Sequence, residues 1–144
     1  MRRFFDTNIL VYLFDGAARA KQARARELLE QAVREGFALL STQVLQEFFV
    51  ATTRKLAVPL SHDEAERAVR DLSRLPTVEI NAVLILDAIA TMRRCRLSFW
   101  DSLIVQTALH GGAAVLYSED LQHGRVIETL MIENPFRGIG VPTK

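Results

Sequence analysis

A single cysteine, Cys95, excludes an internal disulfide framework and any zinc site built on paired cysteines. In a helical segment it reads as a half-buried thiol in a reducing compartment. Proline and glycine are scarce, at 4 and 7 of 144 residues, which excludes collagen-like and low-complexity chains. An excess of charge of one sign is missing as well. Eighteen basic side chains against 17 acidic ones leave a formal charge of +1, so bulk electrostatics argue neither for nor against a nucleic-acid partner. Long hydrophobic runs are absent too. The opening Met1-Arg-Arg-Phe-Phe-Asp6 meets an acid before an apolar stretch develops, so no signal peptide is expected. The most apolar stretch, Ile80 to Met92, is interrupted by Asn81 and Asp87 and is too short to span a bilayer. The expectation is a soluble cytoplasmic protein with no membrane partner.

What is present is a globular composition. Hydrophobic residues make up 49% of the chain, enough to bury a core in one domain over residues 1–144. There is no internal repeat, low-complexity tract or linker. Short apolar runs alternate with longer helical patterns, the signature of a three-layer α/β/α sandwich with a mainly parallel central sheet. Arg3-Phe4-Phe5 predicts a first strand, and Asn8 to Phe14 a short helix. Arg19 to Glu35 carries Ala25, Leu28, Leu29 and Ala32 at helical spacing, and Gly36 stops it. Phe37 to Leu40 predicts a strand, followed by a helix capped by Ser41 or Thr42 and running to about Lys55. Ser61-His-Asp-Glu64 is a capping box for a helix to about Arg74. Thr77 to Ile80 predicts a third strand. Ala82 to Arg93 is nearly all apolar and is expected to be deeply packed. Trp100 to His110 predicts a helix ended by Gly111-Gly112. Ala113 to Tyr117, Val126-Ile127 and Leu130 to Ile132 predict strands, with Pro135 and a Gly-rich tail closing the domain.

Four acids stand where chemistry is expected. In open parallel sheets ligands bind beyond the carboxyl ends of the strands, and Asp6 and Asp120 follow two such ends. Either alone has a plain structural reading as a helix cap. Glu47 falls on the stripe of Val44, Phe48 and Ala51, away from Gln43 and Gln46. Asp101 shares a stripe with Ile104, Val105 and Ala108, while Ser102 and Gln106 point elsewhere. An inward carboxylate is costly unless it is bonded to helix N–H groups, paired with a base or neutralised by a metal. Inward bases are hard to find in this chain. The helix dipole helps Asp101 near its helix start, but not Glu47 in mid-helix. A divalent cation is the simplest remedy for four converging acids. With only oxygen donors, the ion would be hard, Mg²⁺ or Mn²⁺. Such an ion suits phosphodiester hydrolysis, with Glu47 or Asp120 orienting or deprotonating the attacking water.

The segments Asp6-Thr7-Asn8, Thr42-Gln-Val-Leu-Gln-Glu47-Phe, Ser98-Phe-Trp-Asp101-Ser-Leu-Ile and Leu116-Tyr-Ser-Glu-Asp120-Leu, in this order and spacing, together resemble the PIN-domain family. The match extends over nearly the whole chain and is nearest to the VapC-type toxins of bacterial toxin–antitoxin pairs. The resemblance implies a PIN-like α/β/α fold, Mg²⁺- or Mn²⁺-dependent endoribonuclease activity on an RNA substrate, a homodimer, and inhibition by a cognate antitoxin protein. It implies Asp6, Glu47 and Asp101 as the three principal metal-holding, catalytic acids and Asp120 as the fourth, with Glu119 its rival. Thr7 and Asn8 match the polar pair that shapes the first acid's loop. Ser118 stands where the family usually has Thr, and keeps the hydroxyl.

Other residues have simpler readings. Trp100 could stack on a base, but a Trp at a helix start more often packs in the core. His123 reads as a polar loop residue, and Phe48, Phe49 and Phe99 as core. Arg93, Arg94 and Arg96 read equally as a solvated helix end or as a guide for RNA. Two other functions compete. One is a PIN-like domain that binds RNA or a partner without cutting. The other is phosphotransfer through an aspartyl nucleophile, against which stand Asn8, where the dehalogenase-like pattern wants Asp, and the lack of a Gly-rich phosphate loop.

Overall fold

The computed structural model describes residues 1–139. The end of the expected tail, 140–144, lies outside the described residues. Six strands, β1 (Arg2–Phe5), β2 (Ala38–Ser41), β3 (Thr77–Val78), β4 (Ala113–Tyr117), β5 (Val126–Ile127) and β6 (Leu130–Glu133), form one sheet in the order β3-β2-β1-β4-β6-β5. Every pairing is parallel except β5 with β6. Helices flank the sheet: α1 (Thr7–Tyr12), α2 (Arg19–Glu35), α3 (Thr42–Arg54), α4 (His62–Leu72), α5 (Ala82–Cys95) and α6 (Phe99–His110). This is the α/β architecture that the alternating pattern predicts.

Local chemistry sets the element ends. Ser41, Asn81 and Ser98 cap α3, α5 and α6, each side-chain oxygen accepting a backbone N–H three residues on. Ser61 and Glu64 form the predicted capping box. Gly36 closes α2 in the left-handed conformation at φ 75°, where a side chain would be strained. The core runs through β1, β4 and the helices over them, with Phe4, Phe5, Leu10, Phe48 and Leu116 fully buried.

Two helices pack differently from expectation. In α5, only Leu84, Ala88 and Thr91 are buried, whereas Val83 and Leu86 are 60% and 65% exposed. The helix leans on α6 through one face, and its opposite apolar face stays largely exposed. Helix α6 shows the reverse. It is buried without interruption from Ser102 to Ala108, so Ser102 and Gln106 do not point outward. Their polar atoms are satisfied inside: Ser102 Oγ donates to the Ser98 carbonyl at 2.8 Å, and Gln106 Nε2 to Thr91 Oγ1 at 2.6 Å.

Candidate active site

Strands β1 and β4 lie side by side at the middle of the sheet, and the chain turns to opposite flanks from them. The crevice beyond their carboxyl ends is the topological switch point of this sheet. Asp6 leaves β1 there, and Ser118-Glu119-Asp120 leaves β4. The Asp6 N–H donates to the Tyr117 carbonyl at 3.0 Å, locking the two exits together.

Asp6 caps α1 and is only 6% exposed. Its Oδ1 accepts the Thr7 N–H and its Oδ2 the Ser118 hydroxyl, each at 2.7 Å. Burial pushes its pKa up from 3.8 to about 7. The bonds from Ser118 and Thr7 pull it down, and the charges of Glu47 and Asp120 raise it again. No cationic side chain is among these groups. Asp6 is thus a carboxyl that hesitates between neutral and charged at neutral pH, and a cation beside it would hold it charged.

Glu47 reaches the same crevice from the middle of α3. Its Oε2 accepts the Thr7 hydroxyl at 3.0 Å, and its Oε1 accepts Gln43 Nε2 at 2.7 Å. Gln43 is therefore not on a polar outer face. It is 3% exposed and shares the Glu47 face one helical turn earlier. Asp120 stands at the exposed rim, its Oδ2 accepting Asn8 Nδ2 at 2.9 Å. Asn8 also accepts the Glu119 N–H at 3.2 Å, and the Ser118 hydroxyl accepts the N–H groups of Asp120 and Leu121. Thr7, Asn8 and Ser118 thus fix the carboxylates.

Glu119 is occupied elsewhere. It accepts the Tyr12 hydroxyl and pairs with Lys21 Nζ, both at 2.7 Å. Tyr12 lies one helical turn after Asn8, a spacing that could have marked it in advance.

Asp101 is half-buried in the first turn of α6, where its N–H donates to Ser98 Oγ, and this turn is tied to Glu47. Its neighbour Trp100 is the link, since Gln43 Nε2 donates to the Trp100 carbonyl at 3.3 Å. Among the described residues, no three Asp, Glu, His or Cys side chains converge in a metal-holding group. The donor chemistry nonetheless suits a hard cation, because every candidate ligand is an oxygen and the buried one lacks a counter-charge.

An open cleft of about 680 Å³ lies beside these groups, its lining including Thr7, Asn8, Glu47, Lys55, Trp100 and Asp120. Trp100 is not core. It is 64% exposed, with Phe99 edge-on to it at 5.1 Å. His123 is a loop residue as expected, its Nδ1 accepting the Asn134 N–H.

The family model of the PIN domain matches residues 3–128. The chain belongs to the PIN domain family. No curated protein sequence matches it. Several solved structures share the fold of this PIN domain. VapC20 of Mycobacterium tuberculosis, described as a sarcin–ricin loop cleaving toxin, is 23% identical with a TM-score of 0.65, over 82% of this chain and 89% of that one. A toxin–antitoxin complex from Klebsiella pneumoniae is 20% identical with a TM-score of 0.68, over 92% and 97%. VapBC2 of Rickettsia felis, bound to a DNA fragment from its promoter, is 19% identical with a TM-score of 0.67, over 93% and 98%. At such identities the likeness is one of fold. PIN domains form a family of nucleases, and among the described residues no helix is long and apolar enough to cross a membrane.

Proposed function

We propose that this PIN domain, one domain over residues 1–144, is a metal-dependent endoribonuclease and the cytoplasmic toxin of a VapBC-type pair. One observation carries the reading: a buried carboxyl, Asp6, is held at the sheet's switch point with two further acids acting on it and no base beside it. Such a group is a liability to the fold unless a cation belongs there. The family membership and the toxin–antitoxin structures with the same fold support the reading further.

In this reading Asp6, Glu47, Asp101 and Asp120 hold Mg²⁺ or Mn²⁺. When bound, such an ion lowers the pKa of water and neutralises charge on a phosphate. The chain supplies orientation and proton handling. Ser118 and the Thr7 N–H fix both oxygens of Asp6. Thr7 and Gln43 fix Glu47, leaving it facing the cleft. Asn8 fixes Asp120, and Glu47 or Asp120 takes the proton of the attacking water. The open cleft admits an extended RNA strand, and Lys55 meets a phosphate. A cognate antitoxin is the expected inhibitor. The uncovered face of α5, with Val83 and Leu86, offers apolar area for a homodimer.

The test is cleavage of total cellular RNA by the purified chain with Mn²⁺, and with chelator in its place. Cutting only with the ion is the expected result; no cutting under either condition contradicts the reading. One alternative, a PIN domain that binds RNA or a partner without cutting, is favoured by the lack of three converging metal-holding side chains among the described residues, and binding without cutting would identify it.

A further inference from the structure

Trp100 is exposed where a Trp at a helix start is ordinarily packed, and it borders the same cleft as Glu47 and Asp120. Leaving Trp100 64% exposed forgoes burial that the core could have supplied, so the ring is best explained by an occupant that covers it. Its placement is also prepared. The Gln43 amide bonds both Glu47 Oε1 and the Trp100 carbonyl, so one buried side chain ties the indole's backbone to a carboxylate of the site. Phe99 supports the ring edge-on at an interplanar angle of 74°. A flat aromatic surface at fixed reach from a phosphate-handling pocket matches the way proteins grip single-stranded nucleic acid, by stacking bases on aromatic rings.

We propose that Trp100 is a stacking platform for a nucleobase of the RNA strand, placed to hold the nucleotide next to the bond that is cut. The proposal rests on the ribonuclease reading of the cleft and adds to it a requirement that the substrate be single-stranded at that point. A paired and stacked base cannot lie on the indole. Stacking of this kind tolerates every base, so Trp100 confers grip and strand state, with sequence preference left to other contacts.

Trp100 is the sole tryptophan, so the protein's indole emission reports this one residue. The first measurement is steady-state cutting of an oligouridine of roughly ten nucleotides with Mn²⁺ by wild type, Trp100→Phe and Trp100→Ala. The Ala variant is expected to raise KM about 5- to 100-fold with kcat little changed, and the Phe variant to keep most of the wild-type KM. The second measurement is indole emission with chelator present, where oligouridine should quench it and an abasic strand of equal length should not. Because the side chain is mostly in water, its truncation should leave the circular dichroism spectrum unchanged. An unchanged KM in the Ala variant, with cutting intact, overturns the platform but spares the ribonuclease reading. The exposed indole would then be an anchor for a protein partner. No cutting by the wild type overturns both.

Discussion

Replacing Asp6 by Asn should make the metal-free protein more stable at pH 8, although a carboxylate that caps a helix is usually stabilising. The sign follows from the direction of the pKa. Asp6 rises from 3.8 in the unfolded chain to about 7 in the fold, so between those values the folded state binds the proton more tightly. Stability linked to this group is therefore intact below about pH 4, falls as pH rises towards 7, and stays lost above it. At about 1.4 kcal/mol per tenfold change in proton affinity, the loss amounts to about 4 kcal/mol. Asn carries no such penalty and still caps the helix. It presents an N–H₂ where one of the two bonds from the Thr7 N–H and the Ser118 hydroxyl now ends, which costs about 1 kcal/mol. The net expectation is a gain of up to about 3 kcal/mol at pH 8 and a loss of about 1 kcal/mol at pH 4. Urea unfolding of both proteins in chelator, followed by far-ultraviolet circular dichroism at the two pH values, measures the difference. A variant less stable than wild type by the same amount at both pH values would refute the reasoning, since Asp6 would then be charged in the fold without cost. Added Mn²⁺ should stabilise the wild type at pH 8 and close the gap.

Other perturbations separate residues that lie close together. Asp120→Asn should lower Mn²⁺-dependent cutting by roughly 10- to 100-fold, and Glu119→Gln should leave it near wild type, because Glu119 is spent on Lys21 and Tyr12. Glu119→Gln should also cost under about 1 kcal/mol in stability, since both partners of that ion pair are partly exposed. Gln43→Leu frees one Glu47 oxygen and the Trp100 carbonyl, and should lower kcat by about tenfold while thermal unfolding shows only a small shift. Arg96, exposed at the end of α5 with φ 55°, pays for a left-handed conformation, so Arg96→Gly should raise stability by about 0.5–1 kcal/mol in urea unfolding.

Much of the fold is legible in the sequence because its cues are local. Gly36, the Ser61–Glu64 box and the alternation of strand and helix periods place most element ends within two residues of those in the structure. The strand-end positions of Asp6 and Asp120 are equally local. What periodicity does not encode is which face of a helix meets another element. Helix α5 is apolar nearly all round, yet it packs chiefly on α6, so Val83 and Leu86 remain exposed. Helix α6 packs between α5 and the sheet, so polar Ser102 and Gln106 are buried and bonded internally. Gln43 looks like a surface residue by type, and only the three-dimensional approach of α6 to α3 turns it into a buried brace for Glu47. Trp100 is legible as an aromatic beside an acid, and its exposure depends on the cleft, which has no linear signature. The place of Asp101, half-buried at the start of α6, is likewise a matter of how α6 is docked.

The account stands on the acids of this cleft being the seat of metal-dependent RNA cutting. Its most direct test is product formation from a defined single-stranded RNA at saturating Mn²⁺ and pH 8, by wild type and Asp6→Asn side by side. Both proteins should be folded under these conditions, which circular dichroism of the same samples checks. The account predicts a loss of roughly 100-fold or more in the variant. Equal rates in the two proteins would contradict it.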